Sequence, residues 1–254
     1  MAKKIILLKI ILLIIVIVGL VLINKMNDNE DKKDIAGEVG IDPVSHASLV
    51  LNWADKAIYS DPVGGAELYK DKPAADLILL SDIHQDHFDP ERLKALTKEE
   101  TVIVAPQAVM NELPEELAAK TSVMNNGDIK EYLGFKVEAV PMYNLPGTET
   151  LYHPKGRGNG YLVEKDGTRV YISGDTAGIP EMRNLKDIDI AFVAMNLPYT
   201  MDVEEAADAV LEFKPKTVYP YHYRTPSGFS DVAKFKEIVN EQNLEIEVIL
   251  AKWY

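Results

Sequence analysis

Leu79-Leu80-Ser81-Asp82-Ile83-His84-Gln85-Asp86-His87-Phe88-Asp89-Pro90 is the most informative stretch of this 254-residue chain. An apolar run, Leu77 to Leu80, leads directly into a segment crowded with carboxylates and imidazoles. Such a run suits a strand buried on both faces. On an extended continuation, alternate side chains share a face, which would group Asp82, His84 and Asp86. The chain then turns, and His87 can converge from the next position. Imidazole and carboxylate together form a ligand set for zinc, manganese or iron. The same residues could instead make a solvated polar turn, with Asp89 capping a helix that begins at Pro90.

Two further segments repeat the pattern of an apolar strand ending in a polar ligand type. Tyr171-Ile172-Ser173-Gly174-Asp175 ends in a carboxylate after a glycine that permits a tight turn. Val218-Tyr219-Pro220-Tyr221-His222 ends in an imidazole. Each is weak alone, since Gly-Asp turns and single histidines are common. Only five histidines occur in the chain: His46, His84, His87, His153 and His222.

Outward from these motifs, short strand-like runs alternate with amphipathic helices. Strands are expected at Ser48–Trp53, Ala57–Tyr59, Leu77–Leu80, Val102–Ala105, Lys136–Pro141, Gly160–Glu164, Arg169–Ile172, Ile190–Val193, Val218–Pro220 and Glu245–Leu250. Helices are expected at Pro90–Leu96, Gln107–Asn111, Pro114–Lys120, Val203–Phe213 and Asp231–Asn243. Two groups of strands with interspersed helices point to a layered α/β domain.

In order and setting, the three motifs resemble the ligand arrangement of the metallo-β-lactamase superfamily. The family's His-x-His-x-Asp-His signature is similar to Asp82-x-His84-x-Asp86-His87, with Asp in place of the first His. Asp175 resembles the bridging carboxylate and His222 the last ligand. The similarity covers about Val44 to Tyr254. With the opening His46-Ala47-Ser48-Leu49-Val50-Leu51 and Asp61-Pro62, it resembles the branch of ascorbate-phosphate lactonases and N-acyl-phosphatidylethanolamine phospholipase D. The resemblance implies a four-layer αββα sandwich with the metals at one edge, between the sheets.

The same resemblance implies a metal set of Asp82, His84, Asp86, His87, His153, Asp175 and His222. His153 takes the place of a histidine that the family usually supplies near Ala139–Leu145, where this chain has none. A loop histidine that touches substrate is the alternative reading of His153. Asp86 is the implied catalytic residue, orienting the attacking water. His46, Asn144 and Arg157 are expected beside the metals or against substrate. Two divalent ions about 3.5–4 Å apart would share and activate a water. Zinc is expected, with manganese or iron as alternatives, because Asp82 supplies a harder donor than imidazole.

The resemblance further implies a hydrolase acting on an ester, lactone or phosphodiester. Lys155, Arg157 and Arg224, near the motifs, suit a small or lipid-like anionic substrate. Two other classes remain open. One is a metal- or ligand-binding module with impaired catalysis, which the Asp82 departure favours. The other is an exported nuclease, which the net charge of −13 argues against, so no nucleic-acid partner is expected. There is no cysteine, which removes disulfides, thiolate ligands and cysteine nucleophiles.

The N-terminal run Ile5 to Ile23 is apolar except for Lys9, and as a helix would span roughly 28 Å. Lys3, Lys4 and Lys9 place its start in the cytoplasm. No Ala-x-Ala site follows, so an uncleaved transmembrane anchor is expected over residues 1–24, rather than a cleaved signal. Residues 25–40 read as a polar linker, and residues 41–254 as the hydrolase domain outside the cytoplasm.

Overall fold

The computed structural model describes residues 39–146 and 152–254. The expected anchor and nearly all of the expected linker lie outside the described residues. Among the described residues, no helix is long and apolar enough to cross a membrane. Val39 and Gly40, at the end of the expected linker, pair with Trp53 and Asn52 in the first hairpin.

The first sheet has six strands in chain order: β1 (Val39–Ser45), β2 (Ser48–Trp53), β3 (Lys56–Ser60), β4 (Ala75–Leu79), β5 (Thr97–Ala105) and β6 (Thr121–Val123). The second holds β7 (Ile129–Tyr132), β8 (Phe135–Met142), β9 (Gly158–Lys165), β10 (Thr168–Ile172), β11 (Ile190–Ala194), β12 (Thr217–Tyr221) and β15 (Glu247–Val248), again in chain order across the sheet. A two-stranded hairpin, β13 (Arg224–Thr225) with β14 (Gly228–Phe229), stands apart. Helices α1 (Pro90–Leu96), α2 (Gln107–Met110) and α3 (Glu115–Ala118) belong to the first half. Helices α4 (Pro180–Arg183), α5 (Val203–Phe213) and α6 (Val232–Gln242) belong to the second.

Three apolar clusters establish four layers. Leu49, Leu51, Leu77 and Leu79 of the first sheet meet Phe135, Val163, Ile172 and Phe192 of the second in a buried central core. On the outer face of the first sheet, Ile78 and Leu80 pack with Leu93 of α1, Val109 of α2 and Leu117 of α3. On the outer face of the second, Tyr171 and Val193 pack with Ala206 and Val210 of α5 and Phe235 of α6. Leu77 and Leu79 therefore face one core while Ile78 and Leu80 face the other, which is why that run is continuously apolar. Each such fully buried side chain contributes about 1.5–3 kcal/mol.

Helix starts follow their side-chain caps. Asp89 accepts from the Arg92 N–H at 3.0 Å before Pro90, and Asp202 accepts from the Glu205 N–H at 2.7 Å at the head of α5. Strands β1, β6 and β7 were not expected. Those of β6 and β7 are short, half-buried or exposed, and carry no apolar alternation to read. The expected Glu245–Leu250 strand shrinks to Glu247–Val248, the two residues that reach β12.

Two glycines let the layers close under the strand ends. A Cβ at Gly160 would lie 2.7 Å from the Ser173 carbonyl oxygen and 2.9 Å from that of Ile172. Gly174 has φ +59°, and its Cβ would sit 2.6 Å from the Met142 sulfur. The sheets are joined there by Asn159, whose N–H donates to the Ser81 carbonyl at 3.0 Å, and by the Tyr161 hydroxyl, which donates to the Leu80 carbonyl at 2.7 Å.

Candidate metal centre

The segment after β4 does not continue as a strand. The N–H groups of His87 and Phe88 both donate to the His84 carbonyl at 2.9 Å, closing a turn. The expected shared face of Asp82, His84 and Asp86 is therefore corrected: Asp82 and His84 group with His153, whereas Asp86 and His87 each group with His222. Asp175 follows the end of β10 and His222 follows the end of β12, so all three motifs meet at one edge of the sandwich.

The first cluster comprises His87, Asp175, His222 and Asp86. The two Nε2 atoms of His87 and His222 face each other at 3.1 Å. Each lies 3.3 Å from an Asp175 oxygen, His222 Nε2 is 3.4 Å from an Asp86 oxygen, and His87 Nε2 is 3.9 Å from the other. Ligand atoms arranged tetrahedrally around zinc at 2.0–2.1 Å are about 3.3 Å apart. Asp175 Oδ1 is buried with no hydrogen-bond partner, as expected of a carboxylate that awaits a cation. His87 is fully buried; burial depresses its pKa, but Asp175 and Asp61 raise it well above the usual value. Burial pushes Asp175 up, and the surrounding His222, His87 and His153 more than offset this, holding it well below the carboxylate range. Asp86 is held low in the same sense, against burial, by hydrogen bonds from His222 and His46 and the charge of His87.

Asp61 fixes the orientation of His87. Its buried carboxylate accepts from His87 Nδ1 at 2.9 Å and from the Ser81 N–H at 2.7 Å, and also from the Ser81 hydroxyl. With a metal bound, the ring would keep its proton on Nδ1 and give up the one on Nε2, directing that lone pair toward the space shared with Asp175 and His222.

The second cluster comprises Asp82, His84 and His153. His153 is buried, both of its ring nitrogens lack a hydrogen-bond partner, and its Nε2 is 3.4 Å from Asp175 and 3.8 Å from Asp82. Burial lowers its pKa, against the pull of those carboxylates, so the ring is kept neutral and able to ligate. Asn144 holds His153 by its backbone: Asn144 Oδ1 accepts from the His153 N–H, and the Asn144 N–H donates to the His153 carbonyl, both at 2.8 Å. His84 Nδ1 lies 2.7 Å from Asp82 Oδ2, and Arg157 grips Asp82 with Nε and Nη2 at 3.0 and 2.9 Å. Orphaned imidazoles, an orphaned carboxylate and tetrahedral spacing together fit a divalent metal.

Both clusters open on a cavity of about 410 Å³, lined among others by Tyr152, Tyr199, Arg224 and Pro226. His46 lies on its wall, with Nε2 3.1 Å from Asp86 Oδ2, Nδ1 2.6 Å from the Tyr254 hydroxyl, and its ring 3.8 Å from that of His222. Lys155 points elsewhere and pairs with Glu181 at 2.7 Å.

Residues 41–222 match the Beta-lactamase superfamily domain. The chain belongs to the beta-lactamase superfamily. A UPF0173 metal-dependent hydrolase of Thermococcus onnurineus is 30% identical over 217 residues, covering 82% of this chain and 94% of that one. Another, of Lysinibacillus sphaericus, is 30% identical over 218 residues, 81% of this chain and 94% of its own. Among solved structures, a protein assigned as a metal-dependent hydrolase from Parabacteroides distasonis is 40% identical with a TM-score of 0.75, covering 85% of this chain and 94% of that one. Igni18, a metallo hydrolase of Ignicoccus hospitalis, shares the fold at 23% identity and a TM-score of 0.71. This superfamily member is accordingly a metal-dependent hydrolase with metal-binding clusters of His and Asp.

Of the residues expected at this superfamily centre, the structure brings Asp82, His84 and His153 into one group, and His87, Asp175, His222 and Asp86 into two overlapping groups that share His222, with His46 completing the one that holds Asp86. His46 stands behind Asp86, Asn144 behind His153, and Arg157 on Asp82. Sequence reasoning assigned no role to Asp61, Tyr152, Tyr199 or Tyr254. Asp61-Pro62 was visible at a strand end, yet its partner His87 is 26 residues away, with nothing in the spacing to join them.

Proposed function

We propose that the two clusters hold two divalent ions and that the chain hydrolyses an ester, lactone or phosphodiester bond in a small or lipid-like anionic substrate. The observation that carries this is the convergence of His87, His222, Asp175 and Asp86 at ligand spacing, beside His153 with both nitrogens unpartnered, on an open cavity. Asp175 lies within 3.4 Å of nitrogens from both clusters and would bridge them. Zinc fits these mixed imidazole and carboxylate sets, with manganese or iron as alternatives. Divalent metals held there polarise a carbonyl or phosphoryl oxygen and lower the pKa of a water toward neutrality.

The chain's own residues supply the rest. Asp86, 43% exposed, presents its carboxylate to the cavity and would orient the attacking water. His46 fixes that carboxylate, and Tyr254 fixes His46. Arg224, stacked 4.5 Å over the Tyr254 ring, presents a cation at the cavity wall that suits a carboxylate or phosphate. Tyr152 and Tyr199, in edge contact at 4.8 Å, would cover the less polar part of the substrate.

We also propose, from sequence alone, that Ile5–Ile23 anchors the chain in a membrane with the domain outside the cytoplasm. Protease added to cells with a permeabilised outer layer should release the domain, and full protection until lysis would refute that orientation.

A panel of phosphodiesters, lactones and neutral or anionic esters tests the activity on metal-loaded full chain. Turnover should require metal, and Arg224→Ala should raise KM about tenfold or more for anionic substrates while sparing neutral ones. Turnover of no member of the panel by metal-loaded protein would favour the ligand-binding alternative.

A further inference from the structure

We propose that Arg157 sets the metal affinity of the Asp82–His84–His153 position and keeps it below that of the His87–Asp175–His222–Asp86 position. The proposal rests on the two-ion reading given above.

The superfamily signature places a neutral imidazole where this chain has Asp82, and the structure shows how that extra carboxylate is balanced. Its side chain is fully buried. Arg157 Nε donates to Oδ1 at 3.0 Å and Nη2 to Oδ2 at 2.9 Å, a two-pronged charged pair. Oδ2 also faces His84 Nδ1 at 2.7 Å. Oδ2 is the oxygen recorded nearest His153 Nε2, at 3.8 Å. The oxygen best placed to complete the cluster is thus already taken by two donors.

The guanidinium also approaches His84. Once His84 Nδ1–H donates to Asp82, Nε2 retains the free lone pair, and Arg157 Nη2 lies 3.4 Å from it. A cation ligated by His84 would stand next to a fixed positive charge. The other cluster has no such competitor. Among the described residues, the recorded ion pairs of Asp86 and Asp175 are all with histidines. Asp82 is satisfied without a metal, whereas Asp175 Oδ1 in the other cluster is not. The His87 position therefore fills first. The His84 position fills only when Arg157 gives up Oδ2, or with Asp82 left as the acceptor that orients His84.

Titration of dialysed full-length chain with cobalt(II), followed by calorimetry and visible absorption, reads the two positions separately. Wild-type protein should show two steps of distinct affinity. Arg157→Met, which keeps length and removes charge, should tighten the second step roughly tenfold or more and leave the first unchanged. In an Asp82→Asn background the same substitution should tighten the second step by a smaller factor, since the charged grip on Oδ2 is already weakened and the guanidinium charge beside His84 remains to be removed. If Arg157→Met does not fold, Arg157→Lys carries the test, because losing the two-pronged grip should still tighten the second step severalfold. An unchanged or weakened second step would overturn the proposal. Absence of any cobalt binding by wild-type protein would instead remove the two-ion reading on which it rests.

Discussion

Asp61 is the residue whose replacement should most sharply separate folding from metal binding. Its buried carboxylate serves three donors: His87 Nδ1, the Ser81 N–H and the Ser81 hydroxyl. In Asp61→Ala, the Ser81 N–H cannot turn toward water, while His87 Nδ1 keeps the Ser81 hydroxyl at 3.0 Å. Leaving the backbone N–H unsatisfied costs about 1–3 kcal/mol, so metal-free protein should lose roughly that much. Asp61→Asn keeps the shape but turns an N–H₂ toward one of those donors. Where it faces His87, the ring proton moves to Nε2 and blocks the lone pair aimed at Asp175 and His222. Loss of such an orienting partner lowers metal affinity about 10–100-fold, or roughly 1.4–2.7 kcal/mol. Urea melts of metal-free chain and calorimetric metal titration measure the two effects separately. Unchanged metal affinity in Asp61→Asn would show that His87 is oriented by something else.

Three further outcomes follow from the packing. Gly160→Ala should destabilise by about 1–3 kcal/mol, since the added methyl meets two backbone carbonyls that cannot swing aside, whereas Gly156→Ala, with φ +88° but open space around it, should pay only for its backbone strain; thermal melts compare them. Trp253→Ala should cost about 3–5 kcal/mol in urea melts, because this 2%-exposed ring packs edge-on to Phe192 and beside Tyr221. Burial pushes Asp76 up, but hydrogen bonds from Lys98 and the Ala57 N–H, with Lys56 nearby, hold it below its ordinary 3.8. The stability it contributes is present above that pH and is lost as pH falls through the depressed value. Asp76→Asn should therefore flatten the acid limb of a stability profile below about pH 3.8.

The sequence made the candidate ligands legible wherever they lie close together or end an apolar strand. Asp82 to His87 announce themselves by density, and Asp175 and His222 by position after β10 and β12. His153 came only through resemblance, since it sits in a loop with no apolar run before it. The division of labour within the first motif was not legible, because it depends on two N–H groups converging on the His84 carbonyl. Neither was the Arg157–Asp82 grip, which spans 75 residues, nor the Tyr254–His46 contact, which spans 208. Strand β7 was missed for a related reason: most of it is exposed, so burial imposes no pattern on its residues. Core strands were read well because burial on both faces leaves only apolar choices, as at Leu77 to Leu80.

The central claim is that the converging His and Asp side chains bind the metal on which hydrolysis depends. Elemental analysis of the full chain after dialysis against micromolar zinc or manganese tests it most directly, with His222→Ala and His84→Ala alongside. About two divalent ions per chain are expected in the wild type, with each variant losing a different one. A wild-type chain that retains no divalent metal under those conditions would contradict the account.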